Sequence, residues 1–322
     1  MKAISTIHGT LKRSAGRLRA GLWLYDKHRF ENRGSRSRTL VCMLVGYKPA
    51  LWPFVFPRFE AALPSDADVC LITPGMFNDS ISTICRNKGW SYLGTNTNDV
   101  SLAQNVCFRL HPDATMIVKL DEDMFLLPQT ITRTLGHYHE LKKGQVIDPG
   151  FVAPMIPLNG FCHRPLLERL GLLDEYEALF GPAQVATRGP ISTDPSAARW
   201  IWQKTTPLEQ TEARLSASGP ETLLCPVQFN IGLIAFERSF WELMGYLPVS
   251  RRRIYTERNT LGDDERNLCM WAVALSRPGV VYTGAVAGHF AFGPQYAGMT
   301  KMLEENPGLF AHRQAGPVAV GT

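Results

Sequence analysis

Long apolar runs are missing from this sequence of 322 residues: no stretch approaches the roughly 18 to 20 uninterrupted apolar residues that a membrane-spanning helix needs. The first residues also lack the apolar segment of a secretory signal. No two cysteines have the CxxC spacing, and several of the seven lie in apolar runs, where cysteine packs as a small hydrophobe. We therefore expect reduced thiols and a cytoplasmic protein that is not embedded in a membrane.

Excess charge is also missing from most of the chain, because the formal net charge of +5 comes from one end. Residues 1–38 carry ten Lys or Arg against Asp26 and Glu31, a balance of about +8, which leaves about −3 for the remainder. This basic arm fits a helix on an anionic membrane surface, a solvated leader or a targeting peptide of mitochondrial type. Its cations are not interleaved with stacking aromatics, so nucleic acid is not an expected partner.

Short apolar runs alternate with amphipathic segments from Thr39 onward. Strands are predicted at TLVCMLVGY, ADVCLITPG, WSYLG and ATMIVKL, with a helix after each of the first three. Gly89 is expected just beyond the end of the second helix, and Asn98 or Asp99 at the start of the third. This alternation predicts an α/β fold with a mostly parallel sheet flanked by helices, in which ligands lie at the carboxyl ends of the strands.

Three acids, Asp121, Glu122 and Asp123, directly follow the fourth predicted strand. Crowded carboxylates repel one another unless water or a cation screens them, so the triplet is either a solvated turn or a site for Mn²⁺ or Mg²⁺. The sequence contains a control, because residues 66–68 (Asp-Ala-Asp) have the same D-x-D spacing but precede a strand. Only the triplet at 121–123 is therefore expected at the ligand edge of the sheet.

Two further features could belong to the same edge. His289 follows the last predicted strand, where it is either a structural histidine or a third ligand for Mn²⁺. Asp263, Asp264 and Glu265 open a predicted helix, and acids at that position stabilise the amino terminus of a helix. One of these carboxylates, if it faces the sheet edge, could instead be a general base.

Residues 181–223 are rich in Pro, Ser, Thr and Gly and are predicted to form a loop insertion. Trp200 and Trp202 make this segment too apolar for a simple linker. Two interpretations remain open, namely a lid or acceptor platform and a surface insertion pinned by its aromatic side chains.

The order of these features resembles that of GT-A glycosyltransferases, especially the large family 2-like group. VSLAQNVCFRLHPDATMIVKLDEDMFL is similar to the segment in which a helix carrying Asn precedes a strand that ends in the D-x-D motif. FNIGLIAFERSFWELMGYL is similar to the strand and helix after the acceptor region, and GDDERNLCMWA to the Glu-Asp motif that supplies the catalytic base. The resemblance covers roughly residues 39–295.

The resemblance implies a Rossmann-like GT-A domain over residues 39–300, with a nucleotide-binding half (39–125), an acceptor half with a small antiparallel part (150–295) and a tail (301–322). It implies sugar transfer from a nucleotide-diphosphate sugar to a glycan or lipid-linked acceptor, with Mn²⁺ or Mg²⁺ bound by Asp121, Asp123 and His289. The implied base is Asp264, with Asp263 in reserve. The implied donor-binding residues are Gly46, Tyr47, Asn105, Asp121 and Glu122, and the implied acceptor-binding residues are Asn230, Trp200 and Trp202.

The sequence departs from the family pattern in three places. The second strand ends in Thr73 and Pro74 where an acidic residue often contacts the nucleotide base, Asp-Asp replaces Glu-Asp, and the Q-x-x-R-W motif of processive synthases is missing. The donor base and the stereochemistry of transfer therefore stay open. A nucleotidyltransferase is an alternative, but GYKPALWP after the first strand is not a Gly-rich phosphate loop. A non-catalytic binding protein is the other alternative.

Overall fold

The apolar runs of the sequence form the strands of one central sheet. The computed structural model describes residues 27–185, 189–249 and 262–311, so most of the basic arm and the end of the tail lie outside the described residues. In chain order the strands are β1 (His28–Glu31), β2 (Thr39–Leu44), β3 (Asp68–Thr73), β4 (Ser91–Thr95), β5 (Met116–Asp121), β6 (Met124–Leu126), β7 (Phe151–Met155), β8 (Thr222–Cys225), β9 (Leu233–Glu237) and β10 (Gly279–His289).

The sheet has the strand order β1-β4-β3-β2-β5-β9-β7-β10-β6, and β8 pairs with β10. Strands β2 to β5 run parallel, β9 is antiparallel to β5, and β7 and β10 again run in the direction of β5. Strands β1, β6, β8 and β9 therefore run against the other six. This arrangement confirms the predicted α/β fold with a mostly parallel sheet.

Helices flank the sheet, and two of their ends follow the sequence signals. Gly89 ends α2 (Asp79–Lys88) with a left-handed φ of 71°, and Asp99 accepts the backbone N–H of Leu102 at 2.9 Å at the start of α3 (Val100–Leu110). In the described part of the chain, every helix is too short or too polar to cross a lipid bilayer. The helices are α1 (Trp52–Ala62), α2 (Asp79–Lys88), α3 (Val100–Leu110), α4 (Thr130–Gly144), α5 (His163–Leu170), α6 (Leu173–Phe180), α7 (Pro190–Thr193), α8 (Pro195–Thr205), α9 (Leu208–Ala217), α10 (Arg238–Leu243), α11 (Asp263–Ala274), α12 (Tyr296–Glu305) and α13 (Pro307–Phe310).

The inner parallel strands are buried on both faces, which explains their continuous apolar runs. Leu40, Leu71, Ile117 and Leu120 are fully buried. Truncating one such side chain to Ala typically costs about 2 to 5 kcal/mol, so this core fixes the positions of the strand ends that carry the acids.

Residues 181–223 differ from the expected loop, because α7, α8 and α9 lie within them and β8 begins at their end. Asp194 caps α8 by accepting the Ser196 N–H at 2.7 Å, and Pro195 occupies the first turn, where a proline is tolerated. Ile201 and Trp202 lie on the buried face of α8. The segment is therefore a set of helices packed on the domain rather than an irregular insertion.

The end of the basic arm also differs from the helix considered for it. Residues 28–31 form β1, which pairs antiparallel with β4 along the edge of the sheet. Phe30 packs against the core and meets the ring of His111 edge-on, with 5.4 Å between ring centroids. The three interpretations of the basic arm also concern residues 1–26, and these lie outside the described residues.

Candidate active site

The carboxyl end of β5 brings the acidic triplet next to the last strand. β5 ends at Asp121, and the turn through Glu122 and Asp123 leads into β6, which pairs antiparallel with the end of β10. In this register Met124 lies opposite His289, and the N–H of Phe290 donates to the carbonyl oxygen of Asp123 at 3.0 Å. The triplet and His289, which are far apart in the sequence, are therefore neighbours at the ligand edge of the sheet.

Asp123 is 1% exposed and lies between Lys48 and His289. Its Oδ2 contacts Lys48 Nζ and lies 3.4 Å from His289 Nε2. Burial favours the neutral acid, but Lys48 and His289 outweigh burial and hold the pKa of Asp123 well below its usual value. Asp123 is therefore an ionised carboxylate in a nearly dry position.

The orientation of His289 is fixed from the other side of its ring. Nδ1 lies 3.1 Å from the carbonyl oxygen of Leu158, which can only accept a hydrogen bond, so Nδ1 carries a proton. Nε2 then faces the Asp123 carboxylate. Backbone support of this kind is typical of histidines that bind metals through the other nitrogen.

Asp121 has a different lysine partner. Lys119, on the same strand, is buried and places Nζ 2.9 Å from Asp121 Oδ1 and 2.8 Å from the carbonyl oxygen of Ile231. Burial raises the pKa of Asp121 despite the opposing effect of Lys119. The pair keeps the Asp121 carboxylate at the wall of the cavity described below.

Glu122 turns into the protein, contrary to its predicted role as a donor ligand. It is 5% exposed, its Oε1 accepts the N–H groups of Tyr47 and Lys48 at 2.8 and 3.0 Å, and its Oε2 accepts the N–H of Gly46 at 3.0 Å. The indole N–H of Trp52 also donates to Oε2, at 2.7 Å. Glu122 therefore holds the loop that follows β2.

That loop presents one exposed aromatic ring. Gly46 has a φ of 127°, and a Cβ added there would lie 3.0 Å from the sulfur of Met76, so a larger residue would be strained. Tyr47 is 51% exposed although its hydroxyl donates to the carbonyl oxygen of Pro74, just after β3. Its ring therefore lies at the carboxyl ends of β2 and β3.

The second acidic cluster points in three directions. Asp263 is exposed and lies 3.5 Å from Arg266, while Asp264 is buried and accepts from Gln104 Nε2 at 3.1 Å. Glu265 lines the same cavity as Asp121, and its buried Oε2 has no hydrogen-bond partner in the described structure. Burial, reinforced by the charge of Asp264, raises the pKa of Glu265 well above its usual value.

Glu265 was named in the cluster but not selected as a candidate base from the sequence. Neighbouring side chains on a helix point about 100° apart, so a shift of one position along the chain changes which carboxylate faces the cavity. In the structure Glu265 lines the cavity, whereas Asp263 and Asp264 do not. The residues that lead into α11, 250–261, lie outside the described structure.

A cavity of about 200 Å³ lies where these groups meet. Its floor comes from the ends of β5 and β10, and its sides come from the segments after β7 and before β9 and from the start of α11. The polar residues of its wall are Asp121, Asn159, Asn230, Glu265 and His289. Asn230 Oδ1 accepts the N–H of Gly160 at 3.2 Å, which holds its side chain at the cavity, where it was predicted to contact an acceptor.

Three other predicted site residues are buried in the protein. Asn105 is fully buried; its Nδ2 donates to Leu247 O at 2.9 Å and its Oδ1 accepts from Trp241 Nε1 at 2.8 Å, which leaves no polar group for a donor. Trp202 is 3% exposed and its indole N–H lies 3.1 Å from the carbonyl oxygens of His289 and Phe290. Trp200 is 8% exposed and bonds to Glu175 at 3.2 Å. Trp202 therefore supports the backbone at His289, Trp200 is bonded to α6, and both rings are buried instead of being presented to a sugar.

The Asp123 and His289 pair fits a divalent cation. With Nδ1 protonated, a neutral His289 would face the Asp123 carboxylate with a lone pair across 3.4 Å, which is unfavourable unless the ring is protonated or a cation binds both groups. One carboxylate and one imidazole leave positions for phosphate oxygens, which suits Mn²⁺ or Mg²⁺. Lys48, which now pairs with Asp123, would have to give way to the cation.

Comparison with known proteins gives no match in sequence: no protein-family model matches, and no similar curated protein is found. One similar solved structure is the mannosyltransferase PcManGT from Pyrobaculum calidifontis in complex with GDP-Man and Mn²⁺, with a TM-score of 0.46 and 13% identity over 91% of this chain and 68% of that chain. Another is CMP:2-keto-3-deoxy-manno-octonic acid synthetase complexed with CTP, with a TM-score of 0.42 and 10% identity over 84% of this chain and 99% of that chain. At such low TM-scores neither likeness is evidence for the activity of this chain.

Proposed function

We propose that this protein is a metal-dependent glycosyltransferase that moves a sugar from a nucleotide-diphosphate sugar to a glycan or lipid-linked acceptor. The observation that supports this best is that Asp121, Glu265 and His289 line one cavity at the carboxyl ends of the strands, with Asp123 Oδ2 3.4 Å from His289 Nε2. The chain thus has a cation-binding pair and a separate basic carboxylate in one place. Transfer of a sugar from a diphosphate needs both.

On the donor side, Asp123 and His289 would hold Mn²⁺ or Mg²⁺, and Tyr47 offers an exposed ring face to the nucleotide base. When bound, the cation would offset the negative charge that develops on the leaving diphosphate as the glycosidic bond breaks. Lys48, released from Asp123, is positioned to contact a phosphate oxygen. Asp121, held by Lys119, is left to contact the metal or the ribose.

On the acceptor side, we infer that Glu265 removes the proton from the attacking hydroxyl. Its raised pKa gives Glu265 a higher proton affinity than an exposed glutamate has, and its Oε2 has no hydrogen-bond partner among the described residues. Direct attack of the activated hydroxyl would invert the anomeric centre. Asp264 stays the alternative base named from the sequence, but in the structure its Oδ2 is engaged by Gln104. Asn230 and Asn159 are positioned to orient the acceptor.

We further propose that residues 39–300 are the catalytic domain and that the basic arm attracts the protein to the anionic cytoplasmic face of a membrane, where a lipid-linked acceptor would lie. Sedimentation with vesicles, with and without anionic lipid, tests the arm separately from the catalytic site. Binding that needs anionic lipid and falls with salt would support this proposal. Equal binding to neutral vesicles would contradict it.

A nucleotidyltransferase is disfavoured by the loop after β2. Such enzymes cradle a triphosphate with free backbone N–H groups, whereas Glu122 accepts the N–H groups of Gly46, Tyr47 and Lys48. Pyrophosphate release from a nucleoside triphosphate would revive this alternative.

Calorimetric titration with UDP, GDP, CDP and ADP, each with and without Mn²⁺, tests the donor side. We expect one diphosphate to bind in a Mn²⁺-dependent manner and Asp123→Asn to abolish that dependence. Asp66→Asn is the matched control, because Asp66 is exposed and belongs to the D-x-D copy at the opposite edge of the sheet. If none of the four diphosphates binds, or if Asp123→Asn binds as the control does, the proposed donor site is wrong.

A further inference from the structure

A second group of potential metal ligands lies at the other end of the sheet. Cys42 on β2 and Cys70 on β3 are paired directly in register, and α3 places Cys107 and His111 four residues apart, one turn from each other on the same side of the helix. All four residues are buried. Strand pairing and helix packing therefore bring three thiols and one imidazole to one place between β2, β3 and α3.

The distances are those of a ligand set. Ligand atoms of Cys70, Cys107 and His111 lie within 4.8 Å of one another. Cys42 lies outside this group of three but is buried and in register with Cys70 on the neighbouring strand, which makes it the candidate fourth ligand. Ligands around tetrahedral zinc are separated by somewhat less than 4 Å, because the Zn–S and Zn–N bonds measure about 2.3 and 2.1 Å. A bound ion would therefore draw these side chains closer together.

His111 supplies the independent sign of a ligand. It is 6% exposed, and its Nδ1 lies 2.9 Å from the carbonyl oxygen of Cys107, so Nδ1 carries the proton. Its Nε2 is buried and has no hydrogen-bond partner in the described part of the chain. A buried lone pair without a partner is costly, and a histidine that donates to a backbone carbonyl through one nitrogen typically binds metal through the other.

Charge and access also suit a bound cation. Burial raises the pKa of the Cys107 thiol, but the Arg238 guanidinium opposes this, and Arg238 donates to the carbonyl oxygens of Phe108 and His111 at 2.7 and 2.5 Å. Lys119 has the same opposing effect on Cys42. A cavity of about 390 Å³ at the amino edge of the sheet is lined in part by His111, which gives an ion a way in.

We propose that Cys70, Cys107 and His111, with Cys42 as the fourth ligand, bind one zinc ion that ties β2 and β3 to α3. Three thiols and an imidazole form a donor set that zinc prefers over Mn²⁺ or Mg²⁺. Binding releases the three thiol protons to solvent, and the charge left on the site is balanced by Arg238 and Lys119 nearby. This site is separate from the candidate active site and does not depend on the proposed function.

The test measures the metal content of two samples of the full chain. The first is the protein purified without metal-affinity resin, and the second is the same protein after unfolding and refolding with Zn²⁺ or Co²⁺. We expect about one zinc per chain and, with Co²⁺, the charge-transfer absorption of thiolate ligands. Cys107→Ser should lose both signals, while the matched control Cys162→Ser, also a fully buried thiol, should keep both. If Cys107→Ser does not fold, His111→Gln at the end of α3 serves in its place and should weaken zinc binding at least about 10-fold.

Two results would overturn the proposal. The first is wild-type chain that contains no zinc and shows no thiolate-to-cobalt absorption after refolding, because the cysteines would then be ordinary core residues. The second is equal zinc content in wild type, Cys107→Ser and His111→Gln, because the zinc would then be bound elsewhere.

Discussion

Replacing Glu122 with Gln should destabilise the protein without removing a group that contacts the donor. The carboxylate accepts four hydrogen bonds, from the backbone of residues 46–48 and from the indole of Trp52. An amide keeps one oxygen, and its NH₂ group then faces two of the four donors. Each buried donor left unpaired costs about 1 to 3 kcal/mol, so we expect a loss of roughly 2 to 6 kcal/mol in the free energy of unfolding.

Urea unfolding followed by fluorescence and circular dichroism measures this loss, provided that the two probes give the same transition. Glu304→Gln, at an exposed position of α12, is the matched control and should change stability by less than about 0.5 kcal/mol. Nucleotide titration of both variants at low temperature, where each is folded, gives the second readout.

The structural role of Glu122 would be refuted by one combination of results. If Glu122→Gln is as stable as the control but no longer binds the diphosphate, the carboxylate is a donor ligand, as first expected from the sequence. If stability falls as calculated, any accompanying loss of binding follows from the displaced loop that carries Tyr47 and Lys48.

Three further changes test other parts of the site and fold. His289→Gln should weaken Mn²⁺-dependent nucleotide binding by about 10- to 100-fold in calorimetry while leaving Mn²⁺-independent binding unchanged; equal loss of both would contradict a ligand role. Glu265→Gln should lower kcat by about 10²- to 10⁴-fold with donor affinity within about twofold, whereas a larger loss in Asp264→Asn would return the role of base to Asp264. Glu31 has a pKa lowered to about 2, mainly by its hydrogen bond to Arg33, so its ion pairs stabilise the folded state above about pH 4.5 and are lost as the pH falls toward 2. Glu31→Gln should therefore cost about 1 to 3 kcal/mol at pH 7 and almost nothing near pH 2 in pH-dependent unfolding, and a difference that does not change with pH would exclude this explanation.

The sheet could be predicted because its signals are local. Each inner strand is a short apolar run, and Gly89 and Asp99 mark helix ends through their own backbone geometry or side chain. The two D-x-D copies could be separated in the same way, because a carboxylate before a strand and one after it lie at opposite edges. Asp68 indeed lies at the start of β3, where it accepts the N–H groups of Ser35 and Ser37 at 2.7 and 3.0 Å.

The parts that could not be predicted depend on partners far away in the chain. The side chain of Asn105 is hydrogen-bonded to Trp241 and Leu247. No residue near Asn105 in the sequence indicates these bonds. The Pro, Ser, Thr and Gly content of residues 181–223 favours a loop, whereas their Trp side chains are buried by contacts with the end of β10 and with α6. His137 on α4 likewise stacks on Tyr282 of β10, with 4.0 Å between ring centroids.

The acidic triplet shows why three like charges can be adjacent in sequence without forming a cluster in space. Asp121 still has the alternating geometry of β5, so it shares a face with Lys119. Glu122 lies on the opposite side and is neutralised by backbone N–H groups, and Asp123, past the end of the strand, turns to Lys48 and His289. Each carboxylate therefore has its own source of positive potential, and the repulsion expected from the sequence is largely removed before any cation binds. A metal bound here would compete with Lys48 for Asp123, so its affinity should depend on what else the released ammonium can contact, which is the role a phosphate oxygen would fill.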